Sequence, residues 1–380
     1  MPSPICLIMN NKELFYFIGK CLTLDEHPGF REEIIELIEA DSIDWKNFTA
    51  LCSNHLILPV IYLKFKSQEL LPYLPKVVSD YFKEIYELNL VRNNQILYQL
   101  QEVTAVLNKG HIYPVYLKGA GNLLDGLYDD IGERMMGDID FLVPEKDYLP
   151  AAELLKKEGY LTDFPTYLDV TDLKHYPRLF KVGVPADLEI HRLPVAEKYL
   201  GWFSPAIIFK EKKAALNLDG CFVLSDRHNI INNFIHSQLG HGGSITGIVS
   251  FRDLYDLYLL SKRSEVKLTI ADIEPKQKAI AYFVFAGIAL NLSGKFYPTG
   301  NLSSWILTKK HELNYGSKTF YTIFQSVTYF TQRIIIGFTS QIFHSIYNRK
   351  MRQSVINRLT DRHWYRAHLD SYKSFFSPNK

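Results

Sequence analysis

The sequence feature that most constrains the fold is the segment 138–143, DIDFLV, in which acidic and apolar side chains alternate. Alternation with a period of two is typical of a β-strand that has one buried face. Asp138 and Asp140 are therefore predicted to project side by side, while Ile139 and Phe141 enter a core. The two carboxylates repel each other, and the strand itself offers them no basic partner. A hard divalent cation relieves this repulsion, because Mg²⁺ takes one or two protein carboxylates together with phosphate oxygens.

A second alternating segment, ADLEIHRL, places Asp187, Glu189 and His191 on one face of a further predicted strand. Glu189 can then supply a third carboxylate beside Asp140. Three acids on adjacent strands can hold two metal ions roughly 3.5–4 Å apart, which bind the attacking and the leaving oxygen of a displacement at phosphorus. The pattern predicts phosphoryl or nucleotidyl transfer.

The segment before the acidic pair predicts a phosphate site. VYLKGAG ends a short strand with Gly119 and Gly121, and a helix is expected to begin near Asn122. Glycines in such a turn let backbone N–H groups approach an anion. Lys118 and Arg134 are expected to neutralise phosphate charge. Each feature alone is also typical of an edge strand or an ordinary turn, and it is their order along the chain that favours the catalytic interpretation.

The flanks of this region are helical in pattern. Apolar residues recur every three or four positions from Phe30 to Lys109, and helical patterns return after Ser225. RLFK, residues 178–181, is expected to form another strand. The sequence therefore predicts an α/β (α+β) fold: a helical segment over residues 1–109, a small mixed-sheet core over 110–224, and a helical region over 225–380.

Composition bounds the compartment and the class of protein. The chain has no run of 18 apolar residues and no signal-peptide pattern at its start, and its four cysteines form no C-x-x-C pair. The expectation is a protein of the cytoplasm without a transmembrane segment, disulfides or a zinc site.

The charge is uneven along the chain. Residues 301–380 carry 12 Lys and Arg against 3 Asp and Glu, whereas residues 1–300 carry 31 against 38. The basic segment is predicted either to dock on the acidic remainder or to hold an acidic acceptor such as RNA; a membrane-surface helix is a third interpretation. Its cations and aromatic residues include Arg349, Lys350, Arg352, Arg358, Arg362, Arg366, Tyr347, Trp364 and Tyr365.

Other polar residues are given structural interpretations. His236 and His241 are five residues apart, which is not one face of an α-helix, so no metal site is expected there. Arg252 and Asp256 have the spacing of a solvent-side ion pair on a helix. Glu133 is expected in a solvated loop.

The central motif has a family resemblance. LKGAGNLLDGLYDDIGERMMGDIDFLV resembles the signature of an uncharacterised bacterial nucleotidyltransferase family within the DNA polymerase β-like superfamily. That pattern runs Leu-Lys-Gly, a short helix ending in Tyr, an Arg, and then two Asp residues alternating with hydrophobic ones. Softer similarity in HLILPVIYLKF, LNKGHIYPVYLKG, KHYPRLF, LEIHRLP and FRDLYDLYLL extends it over about residues 40 to 265.

The resemblance implies roles for specific positions. Asp138 and Asp140 become metal ligands, Glu189 the third carboxylate, and Gly119 the glycine that opens the phosphate turn. Ala120 departs from the family, which usually has Ser or Gly there, so a hydroxyl contact to phosphate is missing.

His175 and His191 also match family positions. Two interpretations stay open: they orient an acceptor, or they hydrogen-bond neighbouring strands.

The resemblance implies a nucleotidyltransferase that uses Mg²⁺ or Mn²⁺ to move an NMP from an NTP such as ATP to an acceptor hydroxyl, releasing pyrophosphate. A non-catalytic nucleotide-binding scaffold and a kinase-like phosphotransferase are the alternatives. The acceptor stays open among small molecules, proteins and RNA. No separate general base stands out, and metal activation of the acceptor at Asp140 and Glu189 would make one unnecessary.

Overall fold

The computed structural model describes residues 8–163, 169–171 and 173–331, together with scattered residues between 343 and 356. The chain divides into two compact units, the first ending at Glu312 and the second beginning at Leu313. The boundaries predicted at residues 109 and 224 both fall within the first unit and stay predictions. Over the described residues, no helix has the combined length and apolar character that crossing a membrane requires.

The first part of the chain is helical, and the helical pattern predicted from Phe30 onward is confirmed. The first helix lies upstream of that range and begins with a capping box, in which the Asn10 side chain accepts from the N–H of Glu13 and the Glu13 carboxylate accepts from the N–H of Asn10. The helices are α1 (Asn11–Leu22), α2 (Phe30–Glu39), α3 (Trp45–Asn54), α4 (Leu58–Ser67) and α5 (Lys76–Lys109).

A five-stranded mixed sheet follows, which confirms the α/β prediction. Its strands are β1 (Val115–Tyr116), β2 (Asp138–Leu142), β3 (Asp187–His191), β4 (Lys213–Ala214) and β5 (Phe222–Val223), in the order β3-β2-β1-β5-β4. β2 pairs antiparallel with β1 and parallel with β3. The segment RLFK makes only isolated bridges, such as Leu179 with Leu188, so the strand predicted there is wrong.

Helices connect and cover the sheet. Within the first unit, α6 (Lys118–Leu124) links β1 to the loop before β2, and α7 (Tyr148–Lys157) and α8 (Pro205–Glu211) flank the strands. After the sheet come α9 (Asp226–Phe234), a π-helix (Ile235–Gly240), α10 (Gly243–Thr246), α11 (Phe251–Ser261) and α12 (Lys276–Ala289). α13 (Leu302–Gly316) spans the division between the two units.

The second unit contains α14 (Lys318–Tyr329), whose first turn is capped by the Ser317 hydroxyl, which accepts from the N–H of Phe320. Most of the basic and aromatic residues predicted to act together in the C-terminal segment lie outside the described residues. The residues of that segment outside the described part of the chain are Lys350, Arg358, Arg362, Trp364, Tyr365 and Arg366.

Candidate active site

The pairing of β2 with β3 brings the acidic residues together. The strands are parallel, and their register sets Asp138 opposite Asp187 and Asp140 opposite Glu189. Ile139 points the other way and is fully buried. Because side chains on adjacent strands share a face at matching positions, the acids form one cluster at the surface of the sheet.

Asp140 lies at the centre of this cluster and is almost fully buried. Its Oδ1 accepts from Lys118 Nζ at 2.6 Å and contacts His191 Nε2 at 2.8 Å. Burial alone would raise the pKa of this carboxyl, but the hydrogen bond from His191 and the charge of Lys118 outweigh it and hold the pKa well below its usual value. Asp140 is therefore an ionised, immobilised carboxylate.

The other acids of the cluster meet the Arg178 guanidinium, whose nitrogens lie 3.3 Å from Glu189, 3.7 Å from Asp138 and 3.8 Å from Asp187. Burial raises the pKa of Asp138, and the neighbouring Asp140 charge raises it further. Arg178 was not singled out in the sequence. The sequence signal that could have indicated it is its position in KHYPRLF, next to Leu179, which forms a bridge with Leu188 of β3.

Lys118 reaches Asp140 from an unusual backbone position. It is the first residue of α6 and has a φ of 50°, in the left-handed region that L side chains rarely adopt. The N–H of Leu117 donates to the carbonyl of Asp140 at 2.9 Å, which ties this junction to β2. Strain of this kind costs about 1–3 kcal/mol and persists where surrounding contacts over-determine it.

The glycines after Lys118 do not form the predicted turn. Both lie within α6, which begins at Lys118 and not near Asn122, so that local prediction is wrong. A Cβ on Gly121 would lie 2.6 Å from the Tyr116 carbonyl oxygen, and the N–H of Gly121 donates to the Leu117 carbonyl. A Cβ on Gly119 would meet the Met136 side chain at 2.8 Å. Gly121 thus permits close packing of the helix on the strand, and the phosphate contacts of both glycines stay predictions.

Arg134 is held in a buried ion pair. Its Nε donates to both carboxylate oxygens of Asp256 at 3.1 Å, and its Nη2 lies 2.9 Å from Oδ2. The solvent-side pair predicted between Arg252 and Asp256 is therefore wrong, because Asp256 is buried and its partner comes from the loop before β2. A contact between Arg134 and phosphate stays a prediction.

Two further polar residues are placed differently from expectation. Glu133 is buried and accepts from the Tyr255 hydroxyl at 3.0 Å, so the solvated-loop prediction is wrong. Burial raises its pKa to about 7 against the opposing effect of the Tyr255 hydrogen bond. His175 Nδ1 lies 3.1 Å from the Tyr176 carbonyl oxygen, and its ring centroid is 5.2 Å from that of His191, which favours a role in joining strand segments.

His236 and His241 are in contact although they are five residues apart. Their Nε2 atoms lie 2.9 Å from each other. The π-helix explains this contact, since its i→i+5 repeat brings residues five apart onto one face. The expectation that these residues do not share a face is therefore wrong.

Many of these polar residues line one cavity of about 460 Å³. One side, the strand wall, carries Asp138, Asp140 and Glu189 with Lys118, Lys174 and Arg178. A second group, the helical wall, comes from α9, the π-helix with the residue that follows it, and α11, and carries Asn229, Asn232, Asn233, His236, His241, Arg252, Asp253 and Asp256. The predicted acids and cations thus line the same cavity, together with residues that the sequence interpretation had assigned elsewhere.

The strand wall has the donor set of a divalent-cation site. One ligand atom each from Asp140, Glu189 and His191 lie within 4.8 Å of one another. Carboxylates suit Mg²⁺ and Mn²⁺, and an imidazole suits the transition metals. Asp138, on the same face of β2, offers a further carboxylate to this group. The donor atoms therefore fit a divalent cation, and His191 becomes a ligand only if its Nε2 gives up the hydrogen bond to Asp140.

Comparison with known proteins supports this chemistry at the level of family. A family model described as an uncharacterised nucleotidyltransferase matches residues 41–298, which is more than half of the chain. No curated protein matches the chain significantly.

Proposed function

Because this chain belongs to the uncharacterised nucleotidyltransferase family, we propose that it transfers an NMP from an NTP to an acceptor hydroxyl and releases pyrophosphate. The observation that carries the proposal is the pairing of Asp140 with Glu189 across β2 and β3, with Asp138 on the same face of one cavity. This is the acidic arrangement that displacement at a phosphorus atom requires.

The acids would hold the divalent cation that this chemistry uses, Mg²⁺ or Mn²⁺. Asp138, Asp140 and Glu189 are the proposed ligands, and His191 holds Asp140 through the hydrogen bond at its Nε2. A cation held there neutralises charge on the phosphates and on the acceptor oxygen. Asp140 is suited to this role because it is ionised and its orientation is set by two hydrogen bonds.

The cations of the strand wall would bind the polyphosphate. Lys118 and Arg178 are both within ion-pair distance of the acids, so they can exchange part of that contact for phosphate oxygens. Lys174 lines the same cavity, and its pKa is lowered by burial first and by the charge of Lys118 second. Three cations on one wall favour a ligand with several negative charges.

The position of the label in the product tests the reaction type. The purified full-length chain is incubated with Mg²⁺ and ATP labelled at either the α- or the γ-phosphate. Deproteinised small molecules, RNA and protein from a lysate serve as separate acceptor fractions, and reactions without the chain give the blank. Label from the α-position in one fraction, with labelled pyrophosphate from the γ-position, is expected. Transfer of the γ-label would instead indicate a kinase, and ATP binding without transfer would indicate a nucleotide-binding scaffold.

A further inference from the structure

The helical wall contains a chain of three titratable side chains that leads into the cavity. His241 lies next to His236, with 2.9 Å between their Nε2 atoms. On its other side, His236 Nδ1 is 3.7 Å from Oδ2 of Asp253, at the start of α11. All three line the cavity that also holds the strand-wall acids.

Asp253 is the inner end of this chain. It is buried, and its pKa is lowered to about 2 because the contact with His236 outweighs the cost of burial. Asp253 is therefore a carboxylate near neutral pH, and an ionised carboxylate can only accept hydrogen bonds.

The charge on Asp253 orders the protons along the chain. His236 is expected to present Nδ1–H to the carboxylate, which leaves its Nε2 as an acceptor. His241 must then donate through its own Nε2–H, so its Nδ1 carries a lone pair. Within the described part of the chain, no hydrogen bond occupies His241 Nδ1, and this residue is solvent-exposed at the cavity.

We propose that His241 takes the proton of the acceptor hydroxyl during transfer, and that His236 and Asp253 position it for this purpose. The inference rests on the proposed function. The acceptor O–H bond breaks and its oxygen forms a bond to the α-phosphorus of the NTP. The bond from that phosphorus to the bridging oxygen breaks, pyrophosphate leaves, and the proton remains on His241 Nδ1.

The charges around His241 fit a proton acceptor. Although the residue is exposed at the cavity, partial desolvation by its neighbours lowers its pKa, and His236 lowers it further; Asp253 on α11 opposes this, while Lys118 on α6 and Arg252 on α11 add to it. The imidazole is therefore neutral near pH 7 and has a free electron pair. When it takes a proton, the new positive charge is stabilised through His236 by the Asp253 carboxylate.

This arrangement separates two tasks between the walls. The strand wall binds the phosphates and a cation, and the helical wall receives the proton. General-base groups contribute typically about 10²–10⁴-fold to a rate. The structural alternative is that the histidine pair only stabilises the π-helix, and the two possibilities differ in their response to pH.

The kinetic test compares His241→Gln with the wild type, using α-labelled ATP, Mg²⁺ and the acceptor fraction that the wild type labels. His27→Gln is the matched control, because His27 is exposed on the loop between α1 and α2. A loss of roughly 10²-fold in kcat is expected, with ATP affinity changed less than about twofold. In the pH–rate profile of the wild type, the rate should rise with pH in a range below pH 6.5 as His241 loses its proton. The profile of His241→Gln should lack this rise. Unchanged kcat or an unchanged rise in His241→Gln would overturn the proposal.

A second measurement needs no turnover. Nitrogen-15 NMR of the full-length chain with labelled histidines reports the tautomer of each ring. The proton of neutral His241 is expected on Nε2 and that of His236 on Nδ1; a proton on Nδ1 of His241 would overturn the relay. If the wild type binds ATP but labels nothing, the proposed function fails and the catalytic role of His241 fails with it. If the wild type labels an acceptor and His241→Gln does so equally well, only the relay fails.

Discussion

The two walls of the cavity differ in how their polar residues arise from the sequence. On the strand wall, Asp138, Asp140 and Glu189 face the cavity because every second residue of a strand does so. On the helical wall, Asp256 and His236 face the same cavity, but their partners come from a distant loop and from a π-helical turn. A wall formed by one sheet is specified locally, whereas a wall formed by several helices depends on tertiary contacts.

The difference is clearest at Asp256. Its spacing from Arg252 is that of an exposed i,i+4 pair, yet it is buried and bound to Arg134, which precedes it by 122 residues. Its pKa is nevertheless raised, because burial has a larger effect than the Arg134 charge that opposes it. The two walls should therefore respond differently when one acid is removed.

The largest effect on folding is expected from Asp256→Ala. The substitution leaves the Arg134 guanidinium buried without its carboxylate, and breaking such a pair from one side costs about 3–5 kcal/mol. Urea denaturation at neutral pH should show this loss in the free energy of unfolding.

Asp187→Ala is the matched variant on the sheet. The Asp187 side chain is 40% exposed and lies 3.8 Å from the Arg178 guanidinium, so its removal should cost less than about 1 kcal/mol. If Asp256→Ala and Asp187→Ala lose equal free energy of unfolding, the predicted contrast between the buried Arg134–Asp256 pair and the more exposed Arg178–Asp187 pair is wrong.

Much of the fold was predictable from local patterns. Ile139 and Phe141 are buried as the alternation required, and the helical periods before Lys109 correspond to helices. β4 and β5 were not predicted, because two-residue strands are too short to show a period; β1 is as short, but the glycines Gly119 and Gly121 that follow it marked the end of a strand.

The site was predictable only in part. The alternation of side chains along each strand places Asp140 beside Glu189 once the two strands pair. No repeat in the sequence indicates that His191 and Lys118 both bind Asp140. His236 and His241 were missed as a pair because an α-helical repeat sets residues five apart on different faces, and only the π-helix reverses this.

A smaller effect, dependent on pH, should come from Glu133. Burial raises its pKa from 4.5 to about 7, so the folded chain binds this proton more tightly than the unfolded chain. Its contribution to stability is therefore complete below pH 4.5 and is lost as the pH rises to about 7, a change of about 2–3 kcal/mol.

Glu133→Gln should remove this part of the pH dependence while keeping a partner for the Tyr255 hydroxyl. Unfolding free energies at pH 5 and pH 8 in both chains measure it. The same difference between the two pH values in wild type and variant would show that Glu133 titrates normally.

A further packing effect is expected at α6. Gly121→Ala places a methyl group against the Tyr116 carbonyl oxygen, and overpacking against backbone costs about 1–3 kcal/mol. Gly119→Ala approaches the Met136 and Arg134 side chains and no backbone atom, so its stability should fall by less than that of Gly121→Ala. Thermal unfolding of both variants compares them, and the opposite order would contradict the packing role given to Gly121.

The most direct test of the central claim is the rate of pyrophosphate release by two variants at facing positions of β2 and β3, one inside the cavity and one outside its lining. Asp138 and Asp187 lie opposite each other on β2 and β3, but only Asp138 is a proposed metal ligand. With γ-labelled ATP, Mg²⁺ and the acceptor fraction that the wild type labels, Asp138→Asn should lose roughly 10²–10³-fold in the rate of pyrophosphate release, because a bound cation stabilises transition-state charge by several kcal/mol. Asp187→Asn should stay within about threefold of the wild type, by the weakness of exposed ion pairs. Equal rates for Asp138→Asn and the wild type would contradict the assignment of this acidic cluster as the catalytic centre.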